Sequence, residues 1–128
     1  MDSKNLDEQS FVLGLEAKEL PLEPEPLDRV AYNTGLRIYH GEKSVNDYYQ
    51  MSIGMVGFFR LSKDHGGTLS DNARKGIQES VSKVDEKYQD FLTTLNSVPQ
   101  FAQHTEALEK RVTGTYQTLK KEADSVLS

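Results

Sequence analysis

The chain has 128 residues, 36% hydrophobic and 27% charged, with a net charge of -5 and neither cysteine nor tryptophan. That length suits one domain, and the missing cysteine excludes a disulfide-stapled scaffold, a thiol nucleophile and a cysteine-ligated zinc site. The longest mostly apolar run, Met51 to Phe59, holds two glycines and falls far short of the roughly 20 residues of a membrane-spanning helix. The N-terminus is acidic and polar where a secretory signal is basic and then apolar, so a cytoplasmic protein without a transmembrane segment is expected.

The charge is unevenly placed. Within residues 1–28, Lys4 and Lys18 stand against Asp2, Asp7, Glu8, Glu16, Glu19, Glu23, Glu25 and Asp28, a net of -6, while the rest of the chain comes to +1. An acidic flank of this kind disfavours nucleic acid as a partner. Pro21, Pro24 and Pro26 deny the stretch a continuous helix or a central strand, so residues 1–26 read as a disordered acidic tail. Phe11, Val12, Leu13 and Leu15 are too apolar for an inert linker. They form a candidate docking segment, for a partner or for the body of the protein.

Residues 27–43 admit two readings. Val30, Tyr32, Leu36 and Ile38 alternate about Asn33-Thr34-Gly35 as in a hairpin. Pro26 and Gly41 also bracket a short helix, with Leu27, Val30, Ala31, Thr34 and Ile38 as its apolar stripe. The helix is favoured because everything after it is helical. Residues 44–128 read as a helical coiled-coil domain. Ser44 with Asp47 fits a first turn, and Tyr48, Met51, Ile53, Met55, Val56, Phe58, Phe59 and Leu61 follow as the most apolar stretch. His65-Gly66-Gly67 ends it through a left-handed glycine. Gly54 and Gly57 each cost roughly 1 kcal/mol in a helix, which close approach of another helix would offset.

Thr68 with Asp71 marks a second helix start, and Ser97 with Pro99 and Gln100 a third. Between and beyond them lies the strongest pattern in the chain. Ile77, Val81, Val84, Tyr88, Phe91, Leu95 and Val98 alternate steps of four and three, and Phe101, Thr105, Leu108, Val112, Thr115 and Leu119 repeat the alternation. Such steps place the apolar residues on one seam of period 3.5. The two runs meet at a doubled three beside Pro99, where the helix either bends and continues or reverses into a hairpin. The seam needs a partner helix, since each large apolar side chain left in water forgoes about 1.5–3 kcal/mol. Residues 44–63, a fold-back at Pro99, another helical protein or self-association could supply it.

His40, His65 and His104 show no metal-ligand spacing, the nucleophile elbow Gly-x-Ser-x-Gly has no match, and no glycine loop suits a phosphate. Acids such as Asp85, Glu86, Glu106 and Glu109 mix with Lys83, Lys87, Lys110 and Arg111 as on a solvated helix face. No enzyme, cofactor, metal or small-molecule substrate is therefore expected.

Ile77, Val81, Val84, Lys87-Tyr88, Leu95, Val98, Phe101 and Ala107-Leu108-Glu109 fall at spacings that resemble, without a gap, the C-terminal helical region of the second subunit of the complex for biogenesis of lysosome-related organelles. The resemblance covers about residues 77–121, and it implies a non-enzymatic cytosolic subunit, peripheral to endomembranes, in endosome-to-lysosome traffic. The expectation is an all-α bundle or hairpin: a non-catalytic subunit or adaptor whose partner-binding seam is Ile77, Val81, Val84, Tyr88, Phe91, Leu95, Val98, Phe101, Leu108, Val112 and Leu119. The alternatives are a small phage- or bacterium-encoded binding protein whose acidic N-terminal segment engages a target, and a secretion-associated helical protein.

Overall fold

A computed structural model describes residues 7–18 and 28–128, and every regular element among them is helical. These are α1 (Glu8–Leu15), α2 (Arg29–Asp64), α3 (Asp71–Asn96) and α4 (Ala102–Leu127), with a 3₁₀ turn at Pro99–Phe101 leading into α4. The all-α expectation stands, while several boundaries drawn from the sequence move.

The chain reverses at Pro99. Tyr88 pairs with Thr113 at 2.7 Å between hydroxyl oxygens, and Arg74 donates to the Leu127 carbonyl at 2.7 Å, so α3 and α4 run antiparallel as a helical hairpin. Ser97 does not open α4 as its spacing suggested. Its hydroxyl donates back to the Thr94 carbonyl at 2.6 Å and closes α3. Ser70, two residues after Thr68, caps α3 by accepting the Ala73 N–H at 3.0 Å.

α2 is one helix of 36 residues, about 54 Å at 1.5 Å per residue. It passes through Gly41 and Ser44 without a break, so over residues 28–43 the helix reading holds against the hairpin, but that helix does not stop at Gly41 and no new one starts at Ser44. Asp28 caps it, accepting the N–H groups of Val30 and Ala31 at 3.0 Å. It ends where expected: Gly66 takes φ +85°, and the Gly67 N–H returns to the Ser62 carbonyl at 2.9 Å.

α2 lies antiparallel to α3, with Ser52 beside Ser80 and Gly41 beneath Phe91. It lies parallel to α4, with Arg60 on Glu122 and Lys63 on the Val126 carbonyl. The three make a bundle whose α2 face is built from Ala31, Gly35, Ile38, Val45, Ser52 and Val56, all buried. Of the stripe expected at Leu27, Val30, Ala31, Thr34 and Ile38, Leu27 lies outside the described residues, Ala31 and Ile38 belong to the inner face, and Val30 is 57% exposed. Buried Ser52 has its polar atom satisfied. Ser80 gives its proton to the Ile77 carbonyl at 3.0 Å, so the Ser52 hydroxyl is the donor to Ser80 at 2.9 Å.

The disordered-tail expectation fails over the described part of residues 1–26. Asp7 caps α1 by accepting the Ser10 N–H at 2.8 Å, and the helix packs on α2. Pro21, Pro24 and Pro26 lie outside the described residues. α3 runs out opposite the early turns of α2, and α1 covers what is left there. Its approach is unusually close, because a Cβ on Gly14 would sit 2.0 Å from the Tyr32 carbonyl oxygen and one on Gly35 2.2 Å from that of Phe11. Only glycine at both positions lets the backbones meet. The two caps are tied together as well: the Asp7 N–H donates to Asp28 at 3.2 Å, and the Asp28 N–H to Ser10 Oγ at 3.1 Å. α1 closes with Ala17 at φ 57° and the Lys18 N–H on the Leu13 carbonyl at 2.9 Å, a motif that favours glycine where alanine stands.

Gly14→Ala should therefore destabilise the fold by about 1–3 kcal/mol in urea denaturation, with loss of amide-exchange protection across Glu8–Leu15. Ala17→Gly should stabilise it by about 0.5–1 kcal/mol in the same assay, since it removes a strained left-handed alanine.

Candidate interaction surface

The seam expected to bind partners is the chain's own core. Ile77, Val84, Tyr88, Phe91, Leu95, Val98, Phe101, Val112 and Leu119 are buried among α2, α3 and α4, and Val81 and Leu108 pack at the margin. The partner helices that the seam requires are α2 and the fold-back at Pro99, so the seam is not open to another protein. The docking segment is likewise occupied. Phe11 is fully buried and stacks on Phe101 with ring centroids 4.3 Å apart, while Val12, Leu13 and Leu15 are half-buried. Asp7 and Glu8 are engaged too, the first as a cap and the second by His104 at 2.5 Å and Gln103 at 2.9 Å.

What stays open lies on α2. From Asp47 onward its apolar residues divide between two sides of the helix. Val56 is buried, with Tyr48, Ile53 and Phe59 packed against the core, whereas Met51 is 63% exposed, Phe58 66%, Leu61 61% and Met55 37%. Met51, Phe58 and Leu61 follow one another at helical neighbour spacing, with Gly54 between them, on the side opposite Val45, Ser52 and Val56. A Cβ at Gly54 or Gly57 would meet nothing within 4 Å, so no helix of the described residues lies over these glycines. The close approach expected there does not come from this bundle. Single exposed apolar residues are ordinary on a protein surface, but a contiguous stripe of large ones marks a contact surface. The sequence signal for it was present as three-four spacing inside a run that also supplies the inner face.

The remaining polar features are structural. Lys63 and Arg74 donate to the carbonyls of Val126 and Leu127, supplying positive charge to the end of α4, which has no basic residue in its last turn. His40 is exposed with its ring edge toward Tyr39, and His65 sits at the end of α2 with Nδ1 2.8 Å from the Leu61 carbonyl. Among the described residues no three His, Cys, Asp or Glu side chains gather as a metal site, and no helix is long and apolar enough to cross a membrane. A cleft of about 350 Å³ between α3 and α4 is lined by Val81, Asp85, Tyr116 and Lys120. Burial pushes the Tyr116 phenol up to about 12, and the hydrogen-bonded Asp85 carboxylate adds to the rise. A tyrosine held neutral in this way is neither a nucleophile nor a base near neutral pH. Compared with known proteins, the chain matches no family model, no curated protein and no solved structure.

Tyr116 should be the last tyrosine to ionise, read from ring carbon shifts, and its contribution to stability should be intact below the ordinary 10.0 and vanish as pH rises through about 12. At the other extreme, hydrogen bonds from His104 and then Gln103 hold the Glu8 carboxyl below its ordinary 4.5. That favours the docked α1 above pH 4.5 and is lost as pH falls through the lowered value. Protection of the Glu8–Leu15 amides relative to their intrinsic exchange rates should accordingly fall before that of α3 on acidification.

Proposed function

We propose that the chain is a non-catalytic helical subunit that acts by protein–protein association, and that its working surface is the outer face of α2. One observation carries the reading: Met51, Phe58 and Leu61 are each more than 60% exposed on a single helix face, although the bundle beneath them is closed. Association through that face would bury large side chains and let a partner backbone come near Gly54 and Gly57. The residues that carry the resemblance over 77–121 are largely core residues here, so they speak to helix packing, and the proposal rests on α2 alone.

The test is the native size of the tagged chain in an extract of its source cells. Wild type should run in a complex larger than the monomer. Phe58→Glu with Leu61→Glu should shift it down, while the purified variant keeps the wild-type circular dichroism and melts within about 0.5 kcal/mol of it, as surface substitutions do. An unchanged complex would sink the reading.

A further inference from the structure

Resting on that reading of α2, we infer that the occupant of its outer face is a second copy of this chain, laid antiparallel across the same face in a two-fold dimer. The outer seam runs Asp47, Met51, Gly54, Phe58, Leu61 and His65, at steps of four and three in strict alternation. This is the spacing with which one helix seats against another. Turned end for end about the midpoint between Gly54 and Phe58, the seam becomes its own complement. Phe58 of each copy falls opposite Gly54 of the other, where the space for a side chain is empty. Met51 falls opposite Leu61, and the exposed Asp47 carboxylate opposite the exposed His65 ring, whose Nδ1 is held by the Leu61 carbonyl so that Nε2 faces out. Two-fold symmetry makes each of these contacts twice. Gly57, beside the seam, meets its own counterpart across the axis, which lets the two backbones draw close.

The parallel alternative lacks this fit. In register it sets Phe58 against Phe58, Gly54 against Gly54 and Asp47 against Asp47, with crowding, a gap and like charges in turn. Residues 1–6 and 19–27 are too short to reach the face. Residues 19–27 are tethered at Lys18 and Asp28, so they can reach out and return over only about 16 Å, and residues 1–6 span at most about 21 Å from Asp7. Met51 lies about 34 Å along α2 from Asp28 at 1.5 Å per residue, and Asp7 is bonded to Asp28.

The chain has no native cysteine, so introduced thiols report contacts without ambiguity. Sedimentation equilibrium of the purified full chain should give about twice its 14.4 kDa mass, and Phe58→Glu should return it to a monomer that keeps the wild-type circular dichroism and no longer shows a concentration-dependent thermal melt. Mixed Met51→Cys and Leu61→Cys chains should join through a short thiol cross-linker several-fold more efficiently than either variant alone. Asp47→Arg and His65→Asp chains should each dimerise several-fold more weakly than wild type and recover when mixed, because the mixed dimer sets the introduced arginine against the introduced aspartate and keeps one native Asp47–His65 pair. A wild-type monomer up to several hundred micromolar would overturn the inference, as would preferential joining of Met51→Cys to itself or a dimer untouched by Phe58→Glu. The first of these, combined with a source-cell complex that still shrinks on substitution at Phe58 and Leu61, would point to a different protein on α2. It would then remove the self-pairing alone and leave the association reading standing.

Discussion

Two antiparallel helices packed side by side leave one flank of their shared apolar seam in water, and in α3 and α4 that flank runs about 39 Å at 1.5 Å per residue. The rest of the structure depends on covering it. A short helix from residues 44–63 would have covered only part, so the chain uses α2 along nearly its whole length. Where α2 packs on the hairpin, the buried aromatic residues come from the hairpin, and α2 meets them with a mix of small and aliphatic residues, as where Phe91 packs over Gly41. This division settles the character of α2. Because Ala31, Gly35 and Ser52 occupy buried positions, the bundle closes without Met51, Phe58 and Leu61.

The ends of the bundle are fastened by different chemistry. At one end, backbone contact at Gly14 and Gly35, the Phe11–Phe101 stack and the mutual capping of Asp7, Ser10 and Asp28 hold α1 in place. At the other, cations from α2 and α3 meet the last carbonyls of α4. The first fastening relies on shape and on a hydrogen-bonded carboxylate, so it answers to a single added methyl group and to acid. The second is a set of partly exposed charge-assisted hydrogen bonds, individually modest and sensitive to salt. Local opening should thus be easiest at α1, whose detachment uncovers the first turns of α2 and Phe101 at the start of α4.

The parts of this fold written in large apolar residues were legible in the sequence, and the parts written in small ones were not. The Ile77–Leu119 spacing gave the two hairpin helices and their break at Pro99, and Gly66 gave the end of α2. Whether the chain bends or reverses at Pro99 depends on the third helix, which pattern alone does not weigh. The continuity of α2 was hidden because its inner face interleaves Ile38, Val45 and Val56 with Ala31, Gly35 and Ser52, which thins the apolar pattern, while Pro26 and Gly41 imitated helix boundaries. Phe11 was visible as an apolar residue in an acidic stretch. Its docking hinges on Gly14 and Gly35, which are twenty-one positions apart and informative only once their backbones meet. The seam was legible as a packing surface and misassigned as a partner surface, since periodicity says that a face is buried but not by which chain.

The same separation of small from large bears on function. Had one set of α2 residues served both folding and association, exposing the surface would have loosened the bundle, and any substitution tuning the contact would have altered stability as well. Here the inner positions, Val45, Ser52 and Val56, share no residue with the outer ones, Met51, Phe58 and Leu61. Effects at sites without common partners are close to additive, so association through the proposed outer face could be adjusted at little consequence for the core. The glycines fit the same logic. Inside an isolated helix Gly54 and Gly57 only weaken α2, by roughly 1 kcal/mol each, and the bundle gives nothing back for them among the described residues. Gly41 and Gly35 are offset by contacts within the chain, whereas Gly54 and Gly57 are offset only if a backbone from outside lies against them. The outer face of α2 is thus a place where local propensity and tertiary packing disagree, and a second helix laid against it would resolve the disagreement.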